Sequence, residues 1–267
     1  MQEIANYLET KIIQDKTRIY FASDFHLGIP DYKSSLVREK MLVNWLDIVR
    51  KDAAGIFLMG DLFDFWFEYK TVIPKGFTRL FGKLAEITDE GIPVHLFTGN
   101  HDIWAFEYLR KEMNIELHRG PETMTLLGKT LYLAHGDGLG PGDNGYKFLK
   151  KVFSNRFNQF LFRWLHPDIG AKMGLYFSRK SRLANMVKEN KPEHLNSIED
   201  EMLYKYASGL VQNSTDVDFF VFGHRHRPVD IKLNDHCRMI ILGDWLTHFT
   251  YVEFDGNNLN LKYFKNE

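Results

Sequence analysis

The side chains best suited to chemistry are Asp24 and His26, Asp61, Asn100, His135, and the pair His224 and His226. Carboxylate, amide and imidazole donors in this mixture suit Mn, Fe, Zn or Co better than Ca or an ion chosen by thiolates. Asp61, within Gly60-Asp61-Leu62-Phe63-Asp64, is placed to bridge two such ions. Two cations about 3.5–4 Å apart lower the pKa of water between them. They also stabilise the attacking and leaving oxygens of an in-line displacement.

Donors scattered over two hundred residues need elements that bring them together. Each follows a short apolar run: Arg18–Ala22, Gly55–Met59, Val94–Phe97, Thr130–Ala134 and Phe219–Phe222. The run ending at Met59 reads as a parallel strand buried on both faces. A side chain just past such a strand sits on the rim where α/β sheets bind ligands. One histidine beside a strand is ordinarily a hydrogen-bonded core group. Five donor blocks in register, with Gly60, Gly99, Gly136 and Gly223 beside them, are hard to explain by chance.

Between the strands, helices are expected over residues 3–13, from a Ser35 cap to about Val49, over 76–89, and from Ile103 to about Met113. Leu36, Met41, Trp45 and Val49 are the expected buried positions of the second. Residues 122–134 read as a hairpin around Gly128-Lys129, and 250–264 as a closing hairpin. Phe65, Trp66, Phe67 and Tyr69 read either as core under a loop or as a substrate wall.

The five blocks resemble the calcineurin-like metallophosphoesterases, whose pattern is D-x-H, G-D-x-x-D, G-N-H-D/E, H and G-H-x-H. The resemblance implies a four-layer α-β-β-α sandwich. It implies one ion held by Asp24, His26, Asp61 and His226, and another by Asp61, Asn100, His135 and His224. These would be two divalent ions, Mn2+ first, with Fe, Zn or Co as alternatives. His101 would face the phosphate as a catalytic group, oriented by Asp64. Asp102 and Asp137 read as turn or supporting groups.

Within the superfamily, the chain is most similar to the pyrophosphatases that cleave UDP-2,3-diacylglucosamine in lipid A synthesis. Asp24-Phe25-His26-Leu27, Gly60 to Trp66, His135-Gly136-Asp137 with later Asp143 and Tyr146, Gly223 to Pro228, and Leu242-Gly243-Asp244-Trp245 carry this likeness. It implies that Asp143, Tyr146, Ser178, Arg179, Lys180 and Arg182 bind a lipid-linked nucleotide sugar. His101 and Asp64 depart from the Arg and Glu of that branch and match the general phosphoesterases. A soluble nucleotide phosphodiesterase or phosphatase is therefore the alternative.

The 267 residues read as one domain with a helical cap inserted at about 138–191. From Lys147 to Lys188 stand ten Lys or Arg, one acid (Asp168) and eight aromatics. The apolar stripe Leu149, Val152, Phe153, Phe157, Phe160, Leu161, Trp164 and Leu165 is expected to face the body, with Phe162 opposite. Phe162, Lys150, Lys151, Arg156 and Arg163 would then meet the inner membrane surface. No extended basic surface lies outside the cap, so no nucleic-acid partner is expected. A lone cysteine, Cys237, fits a reducing compartment. With no signal peptide or spanning segment visible, a cytoplasmic enzyme peripheral to the membrane is the expectation.

Overall fold

The computed structural model describes residues 16–142, 144–189, 198–212 and 216–264, with backbone alone over 182–189. The helix expected over residues 3–13 lies outside the described residues. Two sheets face each other. The first runs β11 (Leu259–Tyr263), β10 (Thr250–Phe254), β1 (Arg18–Ala22), β2 (Ala53–Leu58), β3 (Val94–Phe97), β4 (Glu116–His118). The second runs β5 (Glu122–Leu126), β6 (Lys129–Ala134), β7 (Phe219–Phe222), β9 (Arg238–Leu242), β8 (Pro228–Lys232). The strands that carry donors are parallel neighbours: β1, β2 and β3 in one sheet, β6 and β7 in the other. Edge strands β4 and β8, not expected from the sequence, complete the sheets; Pro228 opens β8, as suits an edge.

Period-two alternation explains the layers. Phe21, Phe57 and Phe97 point between the sheets and meet Leu133, Val221 and Ile240. Tyr20, Ala22, Ile56 and Leu58 point the other way, onto α1 (Tyr32–Val49), α2 (Thr78–Asp89) and α3 (Tyr108–Met113). Phe220, Phe222 and Ile241 pack outward on Leu203 and Ala207 of α7 (Met202–Gln212). The result is the four-layer α-β-β-α sandwich expected from the sequence.

The local differences have local causes. Asp31 caps α1, accepting from the Lys33 and Ser34 amides. Ser35 is instead buried inside the helix, its hydroxyl accepting from the Gly28 amide at 2.7 Å. The buried face is Arg38, Glu39, Leu42, Trp45, Leu46 and Val49; Leu36 and Met41 are half-buried. Helix α3 starts at Tyr108 because the preceding residues run as loop beneath Glu68, whose carboxylate accepts from the Glu107 and Tyr108 amides.

Between β6 and β7 come α4 (Asn144–Ser154), α5 (Arg156–Arg163) and α6 (Pro167–Glu189). The stripe expected from Leu149 to Leu165 supposes one continuous helix. Asn155 breaks it: its backbone is extended, and its side chain accepts from the Phe157 and Asn158 amides as the cap of α5. The break resets the helical phase, so most of the stripe does not face the body. Phe157, Phe160, Leu161 and Trp164 are exposed, Trp164 at 77%. Phe162 turns inward, its ring 4.7 Å from those of Phe67 and Trp104. Trp104 also donates its indole N–H to the Phe153 carbonyl at 2.8 Å. Of the four aromatics after Asp64, Trp66 and Phe67 are wholly buried.

Helix α6 seats close because Gly174 has no Cβ. One built there would lie 2.1 Å from the Phe65 ring. Gly174→Ala should therefore loosen α6 by about 1–3 kcal/mol, the usual cost of overpacking. Hydrogen exchange should accelerate in α6 while β1 and β2 stay protected. Unchanged exchange in α6 would remove this contact as its anchor.

Candidate metal centre

The loops after β1 and β2 are laced together before any side chain is considered. The amides of Asp24, His26 and Leu27 donate to the carbonyls of Gly60, Asp61 and Leu62 at 2.9–3.0 Å. That lacing brings the Asp24 and Asp61 blocks side by side. Asp24, His26, Asp61, His224 and His226 all have positive φ, between 43° and 68°. Such backbone is costly for residues bearing a Cβ, and it gathers where function over-determines the geometry.

Each aspartate has one oxygen clamped by a neighbouring loop. Asp24 Oδ2 accepts from the His224 amide, and Asp61 Oδ1 from the His101 amide, both at 2.9 Å. Gly99 permits the second clamp, since a Cβ there would stand 2.2 Å from Asp61 Oδ1. The other oxygens face imidazoles. Asp24 Oδ1 is 3.3 Å from His226 Nε2 and 3.7 Å from His26 Nε2. Asp61 Oδ2 is 3.4 Å from His135 Nε2 and 3.7 Å from His26 Nε2. Ligand atoms of Asp24, His26 and His226 converge within 4.8 Å, as do those of Asp61, His135 and His224.

These donors fit a pair of cations. Asp24 Oδ1, Asn100 Oδ1 and His135 Nε2 are buried and make no hydrogen bond. A buried polar atom without a partner costs about 1–3 kcal/mol, and bound cations would offset all three together. The chain's own charges reflect the same crowding. Burial alone would raise the Asp24 pKa, but His226 and His26 hold it well below the carboxylate range. Asp61 is likewise held low against burial, by His135 and His101. Burial would lower His135 and His226; the carboxylates of Asp61, and of Asp24 and Asp244, outweigh it and push both up to about 10. His224, buried beside the charge of His135, falls to about 4.

His101 stands at the edge of this cluster. Its Nδ1 donates to the Asp64 main-chain carbonyl at 2.8 Å, which leaves Nε2 4.0 Å from Asp61 Oδ2. The Asp64 carboxylate is 4.0 Å from the His101 ring nitrogen and 3.4 Å from His26 Nδ1; it also accepts from the Ser178 hydroxyl at 2.8 Å. Asp64 thus reaches His101 through its backbone, and its carboxylate ties α6 to the cluster. Asp102 accepts from the Gly99 and Leu62 amides; burial and the charge of Asp61 raise its pKa to about 7.

The remaining predicted residues divide. Tyr146 donates to Asp137, beside Lys150, whose Nζ lies 2.6 Å from the same carboxylate. Lys150 therefore belongs to the site and not to an outward surface. Arg179 and Lys180 are exposed, with Arg179 Nη2 3.5 Å from the Pro30 carbonyl. Asp143, and the side chain of Arg182, lie outside the described residues. Asp244 was missed as a site residue. Its carboxylate is 3.5 Å from His226 Nδ1 and accepts from the Leu246, Thr247 and His248 amides. The signal available was its place directly after strand β9, on the same rim.

A pH dependence follows. His135 and His226 are protonated below about pH 10, whereas ligands must be neutral imidazoles. Loading the metal-free chain with Mn2+ at pH 7.5 should release about two protons, one from each, and apparent affinity should fall as pH falls. Calorimetry in buffers of different ionisation enthalpy counts them. Release of none would mean that both imidazoles are already neutral.

Comparison with known proteins agrees with this geometry. The family described as calcineurin-like phosphoesterase matches residues 17–228. A UDP-2,3-diacylglucosamine hydrolase of Porphyromonas gingivalis is 39% identical over 255 residues, covering 92% of this chain and 97% of that one. One from Hahella chejuensis is 29% identical over 252 residues, covering 91% and 96%. Among solved structures, a dimetal phosphatase from Danio rerio aligns with a TM-score of 0.47 at 11% identity, covering 94% of this chain and 96% of that one. The clustered donors and the matched span agree: this chain belongs to the calcineurin-like phosphoesterases, and is a hydrolase of that dinuclear-metal-dependent family.

Proposed function

We propose that the chain hydrolyses the diphosphate of UDP-2,3-diacylglucosamine, releasing UMP and 2,3-diacylglucosamine 1-phosphate. The observation that carries this reading is a cavity of about 730 Å³ against the donor loops. Leu27 and Gly28, directly after His26, line one side; Phe65, Phe67, Ile73 and Phe77 line another; Ala171 and Leu175 of α6 close it. A mostly apolar space of that size, walled on one side by the turn that follows His26, suits acyl chains. The names of the two relatives point the same way.

Asp24, His26, Asp61 and His226 would hold one cation, and Asp61, Asn100, His135 and His224 the other, with Mn2+ the first choice. When bound, the pair supplies positive charge that polarises a phosphoryl oxygen and acidifies water. The residues around it orient and move protons. Asp244 fixes His226, and the Met59 carbonyl, 2.7 Å from His135 Nδ1, fixes that ring. The Asp64 carbonyl holds Nδ1–H of His101, so Nε2 faces the phosphate. Neutral, it accepts a proton; protonated, it donates to a phosphoryl oxygen. Burial, with His26 nearby, lowers its pKa, and an anionic substrate draws it back up. Ser178, Arg179 and Lys180 lie together on α6, where Arg179 and Lys180 carry charge for the diphosphate.

Helices α4–α6 act as a cap, and we place it against the inner membrane surface. Phe148, Phe157, Trp164 and Tyr176 are more than 60% exposed, among exposed Lys151, Arg156, Arg163 and Lys172. Aromatic side chains among cations suit an anionic headgroup boundary. Each basic residue there contributes about 1 kcal/mol, which gives attachment sensitive to salt. Among the described residues no helix is long and apolar enough to cross a membrane.

His101→Ala should retain both metals by elemental analysis while kcat falls roughly 10²–10⁴-fold; loss of metal would make His101 a ligand. For the cap, a Phe160→Asp, Trp164→Asp variant should lose binding to phosphatidylglycerol vesicles and most activity on the diacyl substrate. It should still cleave a small soluble phosphodiester. If the wild type ignores both vesicles and diacyl substrate yet cleaves soluble nucleotides, the soluble phosphodiesterase is the better account.

A further inference from the structure

A second cluster of ligand-type side chains lies away from the metal centre, at the margin where the two sheets open. His95 on β3 and Glu116 on β4 are partners across the parallel pair, and His118 lies two residues along β4. His95 stands five residues before Asn100, on the order of 16 Å along an extended chain. His95 Nδ1 is 3.0 Å from His118 Nε2 and 3.4 Å from Glu116 Oε2. Glu116 Oε1 is 3.9 Å from His118 Nε2. For a tetrahedral ion with bonds of about 2.0–2.1 Å, neighbouring ligand atoms stand about 3.3–3.4 Å apart. The three donors therefore need shifts of only about half an ångström.

The rings are held in place for that role. His95 stacks on Phe57 with centroids 4.2 Å apart, and His118 on Phe97 at 4.5 Å. His118 Nδ1 lies 2.9 Å from Glu122 Oε1. A carboxylate there accepts a hydrogen bond from Nδ1–H, which keeps that proton on Nδ1 and leaves the Nε2 lone pair aimed at His95 and Glu116. This is the arrangement in which a second carboxylate orients a metal-bound imidazole. Glu116 is largely exposed, so a water can complete the shell.

We propose that His95, Glu116 and His118 bind a third transition-metal ion, Zn2+ by donor type, with Glu122 as the positioning residue. Glu122 opens β5 of the second sheet, whereas the three ligands lie in the first. The ion would thus clip the open margins of the two sheets together, stabilising the folded state by mass action. This site is independent of the substrate proposed above.

The test is zinc stoichiometry of the full chain at saturation, with a thermal melt beside it. The wild type should hold three Zn2+ per chain, and Glu116→Gln two, with phosphodiester hydrolysis unchanged. Glu122→Gln should keep the third ion but weaken it about 10–100-fold. Micromolar Zn2+ should raise Tm in the wild type more than in Glu116→Gln. Should His95→Gln misfold, the Glu116 variant still decides, because its side chain is exposed. A wild type that saturates at two, or a third ion bound equally by Glu116→Gln, would overturn the site; the histidine pair would then be a hydrogen bond alone.

Discussion

The structure depends on keeping two carboxylates ionised where water is scarce. Asp24 and Asp61 are at most 1% exposed, and an isolated buried carboxylate neutralises instead of remaining charged. Backbone N–H groups from the next loops satisfy one oxygen of each. Imidazoles surround the other oxygens. Most of the left-handed backbone at the rim serves this arrangement, since five residues of the donor blocks adopt it. Local strain is sustained because the sheets beneath are packed on both faces.

The same rim explains why helices α4–α6 matter to the chemistry. They carry much of the exposed apolar surface, yet they touch the metal centre. Ser178 bonds Asp64, and Lys150 pairs with Asp137 beside His135. Their seat is a small aromatic group, Phe65, Phe67 and Trp104 around Phe162. An element held by few buried contacts has low local stability. The cap role proposed for these helices, admitting a long ligand, calls for that property.

The central carboxylate cluster and the margin cluster share a design. In each, a carboxylate or carbonyl behind the ring selects which imidazole nitrogen faces inward: Asp244 for His226, Met59 for His135, Glu122 for His118. Tautomer choice of this kind determines whether a histidine offers a lone pair or a proton. Asp244 shares with the donors its place after a strand, whereas Glu122 follows from no spacing rule.

The sequence by itself determined the layers and which side chains gather at the rim. Strand type follows from runs such as Ile56-Phe57-Leu58-Met59, and a donor at the end of a parallel strand has one place to go. Local capping was legible only in part: Asp31 outcompetes Ser35 because its carboxylate reaches two amides at once. The tertiary structure alone decided the facing of α5. A helical period is readable only while the helix is continuous, and one extended residue, Asn155, turned Phe162 inward and Trp164 outward. It alone decided that Lys150 belongs to the site and that Asp64 holds His101 by its carbonyl. Those contacts join residues 13 and 37 positions apart. Their geometry is set by how loops meet across the sheets, which no local pattern encodes.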